Sequence, residues 1–527
     1  MFPSRKYSGK KNSKEPLDSL PVLLLRRAGK INIQRERVAV KVLLIYPQFP
    51  DTFWSYKHAL KFIHKRSAYP PLGLLTVGAM LPGHWEKRLV DLNVTRLGEG
   101  DLAWADCAFI SGMVVQKESA RQIISRCKKA GLTVIAGGPL FTGEYEQFEE
   151  VDHFVLNEAE LTLPPFLADL EQGCAKHLYR TPAFADITRT PVPLWDLAPM
   201  KRYAAMSVQF SRGCPFNCEF CNVTTLFGHR TRIKSARQLV LELDALYDRG
   251  WRGQVFFVDD NFIGNKKYLK TQLLPALIEW RREKKGIPFN TEVSINLADD
   301  APLMEMMVEA GFDAVFIGIE TTDEKSLAEC NKKQNKNRDL AESVRTIQKA
   351  GLQVQGGFIV GFDNDTPSIF QRQIDFIQKS GIVTAMVGLL QAPVGTKLYE
   401  RLKNDGRLLG SMSGNTDGTT NIIPRMDLEV LREGYHAILH HIYSPKHYYE
   451  RVRLFLRDYK QPKTRVPLDP QRILAVFRSS IRLGVLGRER LQYWKILSWT
   501  LLRRPRLLPL AITLAIYGYH FRRICRI

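Results

Sequence analysis

The sequence predicts an α/β protein with three successive parts: an N-terminal doubly wound parallel sheet, a central partial barrel of six βα units, and a mostly helical C-terminal domain. Three observations support this prediction. Short apolar segments alternate with helical segments over residues 41–172, the alternation returns over residues 206–405, and residues 406–527 are mostly helical, aromatic and basic. Strands that alternate with helices form parallel sheets, because each helix returns the chain to the same end of the sheet.

Composition and cysteine use indicate a large globular protein in a reducing compartment. The 527 residues suffice for roughly three domains. Five of the eight cysteines are scattered without a pairing pattern, which argues against a disulfide framework: Cys107, Cys127, Cys174, Cys330 and Cys525. The first sixteen residues are polar and basic and lack an apolar secretory segment, so we expect a cytoplasmic protein.

The positive charge is concentrated at the two ends of the chain. The formal net charge is +22, and 17 of these charges come from residues 1–41 and 480–527. A basic end can bind nucleic acid or an anionic membrane. We predict a basic, weakly structured arm over residues 1–40, for which a solvated tail that only aids solubility is the alternative.

The N-terminal domain, predicted over residues 41–172, begins with the apolar segment "KVLLIYP" (41–47), which has the composition of a buried strand. Three further strands are predicted at 87–94, 107–115 and 133–142. The amphipathic segment 116–131 predicts the helix between the last two strands. Ligands of doubly wound sheets bind at the C-terminal ends of the strands. Residues 173–205 contain several prolines and are predicted to form a linker.

Six strand segments follow the linker, separated by helical segments: 207–214, 254–261, 289–296, 314–321, 353–362 and 384–391. This succession predicts a partial parallel barrel, whose chemistry lies on the loops after the strands. Cys214 closes the first strand, and Asp259, Glu320 and Gly361 lie near the ends of later strands. We therefore expect these side chains to converge on one mouth of the barrel.

The segment "FSRGCPFNCEFCNV" (210–223) contains Cys214, Cys218 and Cys221 in the spacing C-x3-C-x2-C. A closed structural zinc site needs four ligands and a disulfide needs two cysteines, so three clustered thiolates indicate a metal centre with one open position. Iron–sulfur clusters and zinc are the centres that soft thiolates favour. In a four-iron cluster, three irons would take these cysteines and the fourth would stay open.

This stretch resembles the radical S-adenosylmethionine (radical SAM) superfamily, which carries C-x3-C-x2-C after the first strand of a partial (βα)6 barrel. Phe220, the aromatic residue before Cys221, is also typical of that superfamily. The resemblance implies that the open iron of a [4Fe-4S] cluster binds SAM. An electron from an external donor such as flavodoxin or ferredoxin then cleaves SAM to methionine and a 5′-deoxyadenosyl radical. That radical abstracts a hydrogen atom from an unreactive carbon.

The residues that the resemblance places at SAM are Phe220, Glu320, Gly356, Gly357 and Gly361. Phe220 would pack near the adenine, Glu320 would contact SAM, and the glycines would let the backbone approach the nucleoside. A buried ion pair for Glu320 and ordinary strand and turn geometry for the glycines are the alternatives. The carboxylates of Asp259 and Asp260 either bind SAM, orient the substrate or cap the next helix.

Residues 41–172 resemble the cobalamin-binding domain that precedes many radical SAM barrels. The matching segments are "KVLLIYPQFP", "YPPLGLLTVGAML", "AGGPLFT" and "VDHFVLNEAELTLPPFL", with Glu158 and Glu160 in the expected place. The resemblance implies that the corrin of cobalamin lies near Tyr69, Pro70, Gly73, Gly112, Gly137 and Gly138.

One position departs from the cobalamin-binding pattern. Domains that bind cobalt through histidine carry D-x-H-x-x-G, whereas Asp91 is followed here by Asn93. Many radical SAM relatives lack this histidine, so the resemblance implies cobalamin bound without a protein imidazole. A degenerate flavodoxin-like domain without a cofactor is the alternative.

The two cofactors together imply a C-methyltransferase that abstracts hydrogen with the adenosyl radical and transfers a methyl group from methylcobalamin. The organisation is similar to that of hopanoid methylases, which favours an apolar or lipid-like small-molecule substrate. A radical SAM cyclase that also uses cobalamin, or another non-methylating radical enzyme, is the first alternative. A basic nucleic-acid-binding protein with a structural metal site is the second, but no recognised nucleic-acid-binding module supports it, and we do not expect nucleic acid as a partner.

The C-terminal domain, predicted over residues 406–527, ends in "LLPLAITLAIYGYHF" (507–521), which has no formal charge and is flanked by three arginines on each side. These 15 residues are fewer than the about 20 that span a bilayer. We therefore predict an interfacial helix that contacts the inner face of the membrane, with its apolar side among acyl chains. A helix packed on its own domain is the alternative.

Overall fold

The computed structural model describes residues 39–284, 286–461 and 470–526. Only the last two residues of the predicted N-terminal arm fall in these ranges, so the prediction for that arm lies outside the described residues. The predicted α/β class with two parallel sheets is confirmed.

The N-terminal sheet has six parallel strands in the order β2-β1-β3-β4-β5-β6. The strands are β1 Lys41–Tyr46, β2 Glu86–Asp91, β3 Cys107–Ser111, β4 Thr133–Gly137, β5 His153–Val155 and β6 Leu178–Tyr179. The helices are α1 Lys57–Leu60, α2 Leu72–Met80, α3 Glu99–Trp104, α4 Lys117–Lys129, α5 Pro139–Glu144 and α6 Ala159–Glu171. Alternate residues of β1 lie in two different hydrophobic cores, because strand side chains alternate between the two faces of the sheet. Leu43 and Ile45 belong to one core, and Val42 and Leu44 belong to the other.

The second sheet has six parallel strands in the order β14-β13-β12-β11-β10-β7, which is the sequential order of an open barrel. The strands are β7 Ala205–Val208, β8 Ser211–Arg212, β9 Arg232–Ile233, β10 Gln254–Phe257, β11 Phe289–Glu292, β12 Phe312–Glu320, β13 Gln353–Val360 and β14 Ala385–Leu389. The segment predicted as one strand over 207–214 is divided, because β8 leaves the barrel and pairs antiparallel with β9.

Helices between these strands cover the outside of the barrel. They are α7 Val223–Phe227, α8 Ala236–Asp248, α9 Lys266–Tyr268, α10 Leu274–Glu283, α11 Ala301–Ala310, α12 Glu324–Glu329, α13 Leu340–Ala350, α14 Ser368–Ser380 and α15 Lys397–Asn404. Local sequence determines their ends: Asp300 caps α11 by accepting from the Leu303 N–H at 3.2 Å, and Gly311 ends it with a φ of 102°.

The C-terminal part is helical, as predicted. Its helices are α16 Leu428–Tyr443, α17 Pro445–Asp458, α18 Pro470–Ser479, α19 Arg490–Arg503 and α20 Leu508–Ile524, with a π-helical segment at Ser480–Val485. Among the described residues, no helix combines the length and the apolar composition that crossing a bilayer requires.

The terminal helix α20 does not present an apolar face to its surroundings, so the prediction of an interfacial helix over 507–521 is wrong for this segment. Leu514, Ala515 and Phe521 are fully buried. Phe521 stacks on Phe53 with ring centroids 4.2 Å apart, and Tyr448 donates to the Leu514 carbonyl at 2.6 Å. The apolar side of α20 is thus part of the protein core.

Candidate functional site

The three clustered cysteines lie on the loop between β8 and α7, at the mouth of the barrel. Cys214, Cys218 and Cys221 are each partly buried, and their thiols are free of disulfides. Glu219 lies within the loop, and its N–H donates to the Cys330 carbonyl at 3.0 Å. Its carboxylate pairs with Arg401 at 2.7 Å. The loop is therefore held from outside by α12 and α15, and the thiols remain available.

Gly213 fixes the entry to this loop. Its φ is +87°, and a Cβ at this position would lie 2.7 Å from the Arg230 carbonyl oxygen and 2.9 Å from that of Phe227. Neither backbone oxygen can move without breaking the turn, so only glycine fits before Cys214.

Gly213→Ala is expected to displace Cys214 and to reduce iron incorporation strongly. Both the positive φ and the two close carbonyl oxygens oppose a side chain there. Iron analysis after anaerobic reconstitution is the measurement. Gly83→Ala is the control, because a Cβ there would meet nothing within 4 Å. Equal iron content in the two variants would contradict a structural role for Gly213.

The donor set fits an iron–sulfur cluster. Among the described residues, no group of three His, Cys, Asp or Glu side chains is arranged to hold a single metal ion. In a four-iron cluster each protein-bound iron takes one thiolate, so the three thiols do not have to converge on a single ion. Burial raises the pKa of the Cys221 thiol to about 12 and that of Cys214 above its usual value. The thiolates therefore need a bound cation, as metal ligands do.

A buried ion pair, Glu320–Lys332, lies beside the cysteines. Lys332 Nζ is 2.6 Å from Glu320 Oε1 and 5.9 Å from the centre of the Phe220 ring. Burial by itself lowers the pKa of Lys332, but the Glu320 carboxylate and the Cys218 and Cys221 thiols raise it above its ordinary value. Glu320 has a φ of +63°, an uncommon backbone conformation that is typical of functional positions. The structure thus shows the ion pair that was the alternative for Glu320, and sequence reasoning missed its partner Lys332.

Asp259 and Asp260 follow β10 and point towards the cysteine loop. Asp259 accepts hydrogen bonds from the Phe210 N–H at 3.2 Å and from the N–H and hydroxyl of Ser211. Asp259 thus supports the chain leading to Cys214. Asp260 has a buried Oδ2 without a hydrogen-bond partner. Burial raises the pKa of Asp259 to about 7 and that of Asp260 to about 6.

The barrel contains a partly open cavity of about 180 Å³ between β10–β13 and the segment before α2. Its walls combine aromatic and aliphatic side chains with a few polar groups: Trp54, Tyr69, Phe256, Asn290, Thr291, Glu292, Ala314, Val315, Phe316 and Gln355. The Asn290 side-chain oxygen is buried without a partner. Burial, with a smaller contribution from Asp260 and Asp259, raises the pKa of Glu292 to about 8. Glu292 is therefore a neutral carboxylic acid at pH 7, and nothing in the sequence pattern singled it out.

The glycines expected at SAM have protein neighbours. A Cβ on Gly357 would lie 2.8 Å from the Phe316 ring, and one on Gly356 would lie 2.8 Å from the Phe358 ring. Gly361 has a φ of +105°, and its N–H donates to Asp365 Oδ2 at 2.9 Å. All three glycines thus have packing or turn requirements of their own, and their contact with SAM stays a prediction. The ring of Phe220 lies 6.3 Å from that of Phe362.

The positions expected at the corrin divide into two groups. Gly112, Gly137 and Gly138 lie together at the ends of β3 and β4, where Gly138 has a φ of +87°. Tyr69, by contrast, points into the barrel, with its ring 5.1 Å from that of Phe256. Pro70 is buried just before α2, and Gly73 is exposed on that helix.

Asn93, at the position of the missing histidine, is fully engaged by the protein. Its side-chain nitrogen donates to Asp91 Oδ1 at 2.7 Å and to the Pro47 carbonyl at 3.2 Å, and its side-chain oxygen accepts from the Phe49 N–H at 2.9 Å. Asp91 also accepts from the Tyr203 hydroxyl at 2.9 Å. Asn93 thus ties the chain after β1 to the end of β2, and Asp91 connects the end of β2 to Tyr203 in the predicted linker.

A buried ion network joins the N-terminal domain to the cysteine loop. Arg212, two residues before Cys214, donates to Glu158 and to Glu160 at 2.8 Å each. Arg232 on β9 donates to Glu158 at 2.8 Å. The sequence analysis expected the two glutamates here but missed both arginines. The available signal was Arg212 itself, a charged residue between the apolar Phe210 and the cysteines.

Two known sequence families match the chain, one over the barrel and one over the C-terminal helical part. Residues 208–377 match the radical SAM superfamily, and residues 396–527 match a domain of unknown function, DUF4070. The first match contains the β8–β9 pair, the cysteine loop and the barrel strands β10–β13.

Three known proteins resemble the chain over most of its length. An uncharacterized methyltransferase of Synechocystis sp. is 42% identical over 92% of this chain and 91% of its own. The hopanoid C-2 methylase of Rhodopseudomonas palustris is 35% identical over 70% of this chain and 71% of its own. The solved structure of the cobalamin-dependent S-adenosylmethionine radical enzyme OxsB, with aqua-cobalamin and SAM bound, covers 92% of this chain and 84% of its own at a TM-score of 0.58 and 16% identity, a likeness of fold.

Proposed function

We propose, on the premise that this chain belongs to the family of radical SAM methyltransferases with a cobalamin-binding domain, that it methylates an unactivated carbon of an apolar, lipid-like small molecule. When bound, the cluster supplies the electron that cleaves SAM, and cobalamin carries the methyl group. An external donor such as flavodoxin or ferredoxin would reduce the cluster.

Residues of the barrel mouth would hold the cluster and SAM. Cys214, Cys218 and Cys221 would bind three irons. The ammonium of Lys332 lies among the thiols and would balance their charge, while Glu320 keeps it in place. Asp260 Oδ2, buried and without a partner, is available to accept a hydrogen bond from the amino group of SAM.

The observation that carries the substrate class is the cavity inside the barrel. Five of its ten wall residues are aromatic or aliphatic, and the indole nitrogen of Trp54 is the one polar side-chain atom among these five. An apolar substrate requires such an apolar wall. The other five wall residues carry polar groups, and two of them have a definite hydrogen-bonding role: the Asn290 oxygen can accept, and the neutral Glu292 can donate, a hydrogen bond. This set suits a hydrocarbon skeleton that carries one polar substituent, and the 35% identity to a hopanoid C-2 methylase supports the same class.

The test compares extracts of cells with and without the gene, grown with methionine that carries a deuterated methyl group. We expect at least one lipid to gain a labelled methyl group only when the intact gene is present. A strain that expresses Cys218→Ala is the matched negative control, because it retains the protein without the cluster.

The products also separate this proposal from its alternative. Methylated lipid with S-adenosylhomocysteine and 5′-deoxyadenosine supports methyl transfer. A product that gains a ring without a methyl group, with no S-adenosylhomocysteine, would contradict it and support the cyclase. A labelled product confined to water-soluble metabolites would contradict the apolar substrate class.

Glu292→Gln is expected to stabilise the protein increasingly as the pH rises from about 4.5 to about 8. The folded pKa of about 8 lies above the ordinary value of 4.5, so only the unfolded state ionises in this window and the wild type loses stability there. Tyr69, Asp259 and Asp260 are the titratable groups that face it, and none supplies a cation. Thermal unfolding at several pH values measures the difference. Glu305→Gln, on the exposed face of α11, should show no such trend, and a pH-independent difference for Glu292→Gln would refute the neutral acid.

A further inference from the structure

The exposed apolar side chains of this protein are concentrated on one helical hairpin. Eight large apolar residues in the described part of the chain expose more than half of their surface, and seven of them lie between residues 477 and 502. They are Phe477, Ile481, Val485, Leu486, Leu491 and the pair Leu501–Leu502. Scattered exposed apolar residues are ordinary, whereas such a concentration marks a binding surface. We call these seven residues the hairpin surface.

Helical geometry gathers these side chains on a common side. Phe477, Ile481 and Val485 are four residues apart, which keeps them on one face through α18 and the π-helical segment. Leu491 and Leu502 are eleven residues apart, which is about three helical turns, and so lie on one face of α19. Trp494 links the two faces, because its indole N–H donates to the Gly484 carbonyl at 2.9 Å.

The charge around the hairpin surface has one sign. Residues 473–506 contain eight arginines and lysines and one acidic residue, Glu489. Glu489 is buried and pairs with Arg522 at 2.8 Å, so it does not offset the basic side chains at the surface. Six of the basic residues are exposed: Arg482, Arg488, Arg490, Lys495, Arg503 and Arg506.

We propose that the hairpin surface docks the enzyme on an anionic lipid bilayer, with the α18–α19 tip inserted among the acyl chains and the arginines on the head groups. Apolar residues with an aromatic neighbour, bordered by unopposed basic charge, are the composition of interfacial helices. Each basic residue near the surface adds to attraction towards anionic lipid. A protein partner would need an acidic group opposite each of the six cations, whereas an anionic membrane presents negatively charged head groups over its whole surface. This docking does not depend on which substrate the enzyme methylates.

The test is flotation of the full chain with vesicles of phosphatidylcholine alone and of equal parts phosphatidylcholine and phosphatidylglycerol. We expect binding to the anionic vesicles that weakens in high salt, and little binding to the neutral ones. Replacing both Leu486 and Leu491 by Glu should lower binding to anionic vesicles by at least about tenfold, because two inserted side chains become charged.

The matched control carries the same two charge changes elsewhere. Leu241→Glu with Leu409→Glu alters residues that are 48% and 56% exposed outside the hairpin. This control retains the basic N-terminal residues and the same net charge, so it should float as the wild type does. Iron content after reconstitution checks that both variants fold.

Three outcomes would overturn the proposal. The first is a wild type that stays unbound to anionic vesicles at low salt. The second is equal binding by the two double variants. The third is a wild type that is dimeric in sedimentation, becomes monomeric on the Leu486 and Leu491 changes, and does not float, which would assign the surface to a second copy of the chain.

Discussion

Replacing any one of Cys214, Cys218 and Cys221 by alanine is expected to abolish the iron–sulfur cluster and with it all reductive cleavage of SAM. Each protein-bound iron of a four-iron cluster needs its own thiolate, so two thiols leave the cluster incomplete. We expect iron after anaerobic reconstitution to fall from about four per chain to less than half of that value. Formation of 5′-deoxyadenosine, measured by chromatography, should fall to background.

Cys330→Ala is the matched control for these three variants. The Cys330 carbonyl accepts from the Glu219 N–H at 3.0 Å, and its buried thiol donates to the Leu327 carbonyl at 3.8 Å. Alanine retains the carbonyl and removes only a thiol that donates to the Leu327 carbonyl, so this variant should keep its iron and its SAM cleavage. Wild-type protein that binds stoichiometric zinc and no iron, or a Cys218 variant with full iron, would contradict the cluster.

Arg212→Met is expected to destabilise the protein by about 3–5 kcal/mol, because it removes one partner of a buried ion network. Glu160 then has no cation, and Glu158 retains only Arg232 at 2.8 Å. The arginine also stands two residues before Cys214, so we expect lower iron incorporation as well as lower stability. Urea unfolding followed by circular dichroism measures the first effect.

The effect of Arg212→Met should depend on pH. Burial by itself raises the pKa of Glu160, but hydrogen bonds and charge from Arg212, with a hydrogen bond from Thr190, lower it to about 2. A carboxyl with a lowered pKa stabilises the fold above its ordinary value of 4.5, and this contribution is lost as the pH falls from there towards 2. The stability difference from wild type should therefore be full at neutral pH and shrink below about pH 4.5.

Arg249→Met gives the comparison at the surface. Arg249 pairs with Asp196 at 2.7 Å, but the two side chains are 35% and 65% exposed. An exposed ion pair contributes about 0–1 kcal/mol, so this variant should unfold close to wild type. A loss of stability in Arg212→Met no greater than that in Arg249→Met would contradict the importance of the buried network.

The elements with strong local signals were predicted from the sequence. The six barrel strands and the strand β1 are short apolar segments bounded by polar residues, and both sheets are parallel, as predicted. The spacing of Cys214, Cys218 and Cys221 carries its chemistry in the chain itself, because three residues so close in sequence lie close in any fold. The cofactor family followed from that motif and was confirmed by the comparisons.

Partners that are distant in sequence were not predicted. Lys332 joins Glu320 across 12 positions, and Arg212 joins Glu160 across 52. Glu292 looks like any strand residue until the barrel closes around it and removes water from its carboxyl, which raises its pKa to about 8. Such effects come from surroundings that several elements build together.

The C-terminal region shows the difference between what the sequence determined and what the tertiary structure decided. The sequence by itself determined that the chain ends in apolar, arginine-flanked helices, because helical propensity and hydrophobicity are local. Only the tertiary structure decided which apolar residues are covered: Leu514 and Phe521 on α20 are buried against the rest of the protein, while Leu491 and Leu502 on α19 remain exposed. The physical reason is that the hydrophobic effect has no direction. It favours the removal of any apolar surface from water equally, so the sequence does not show which apolar faces meet after folding.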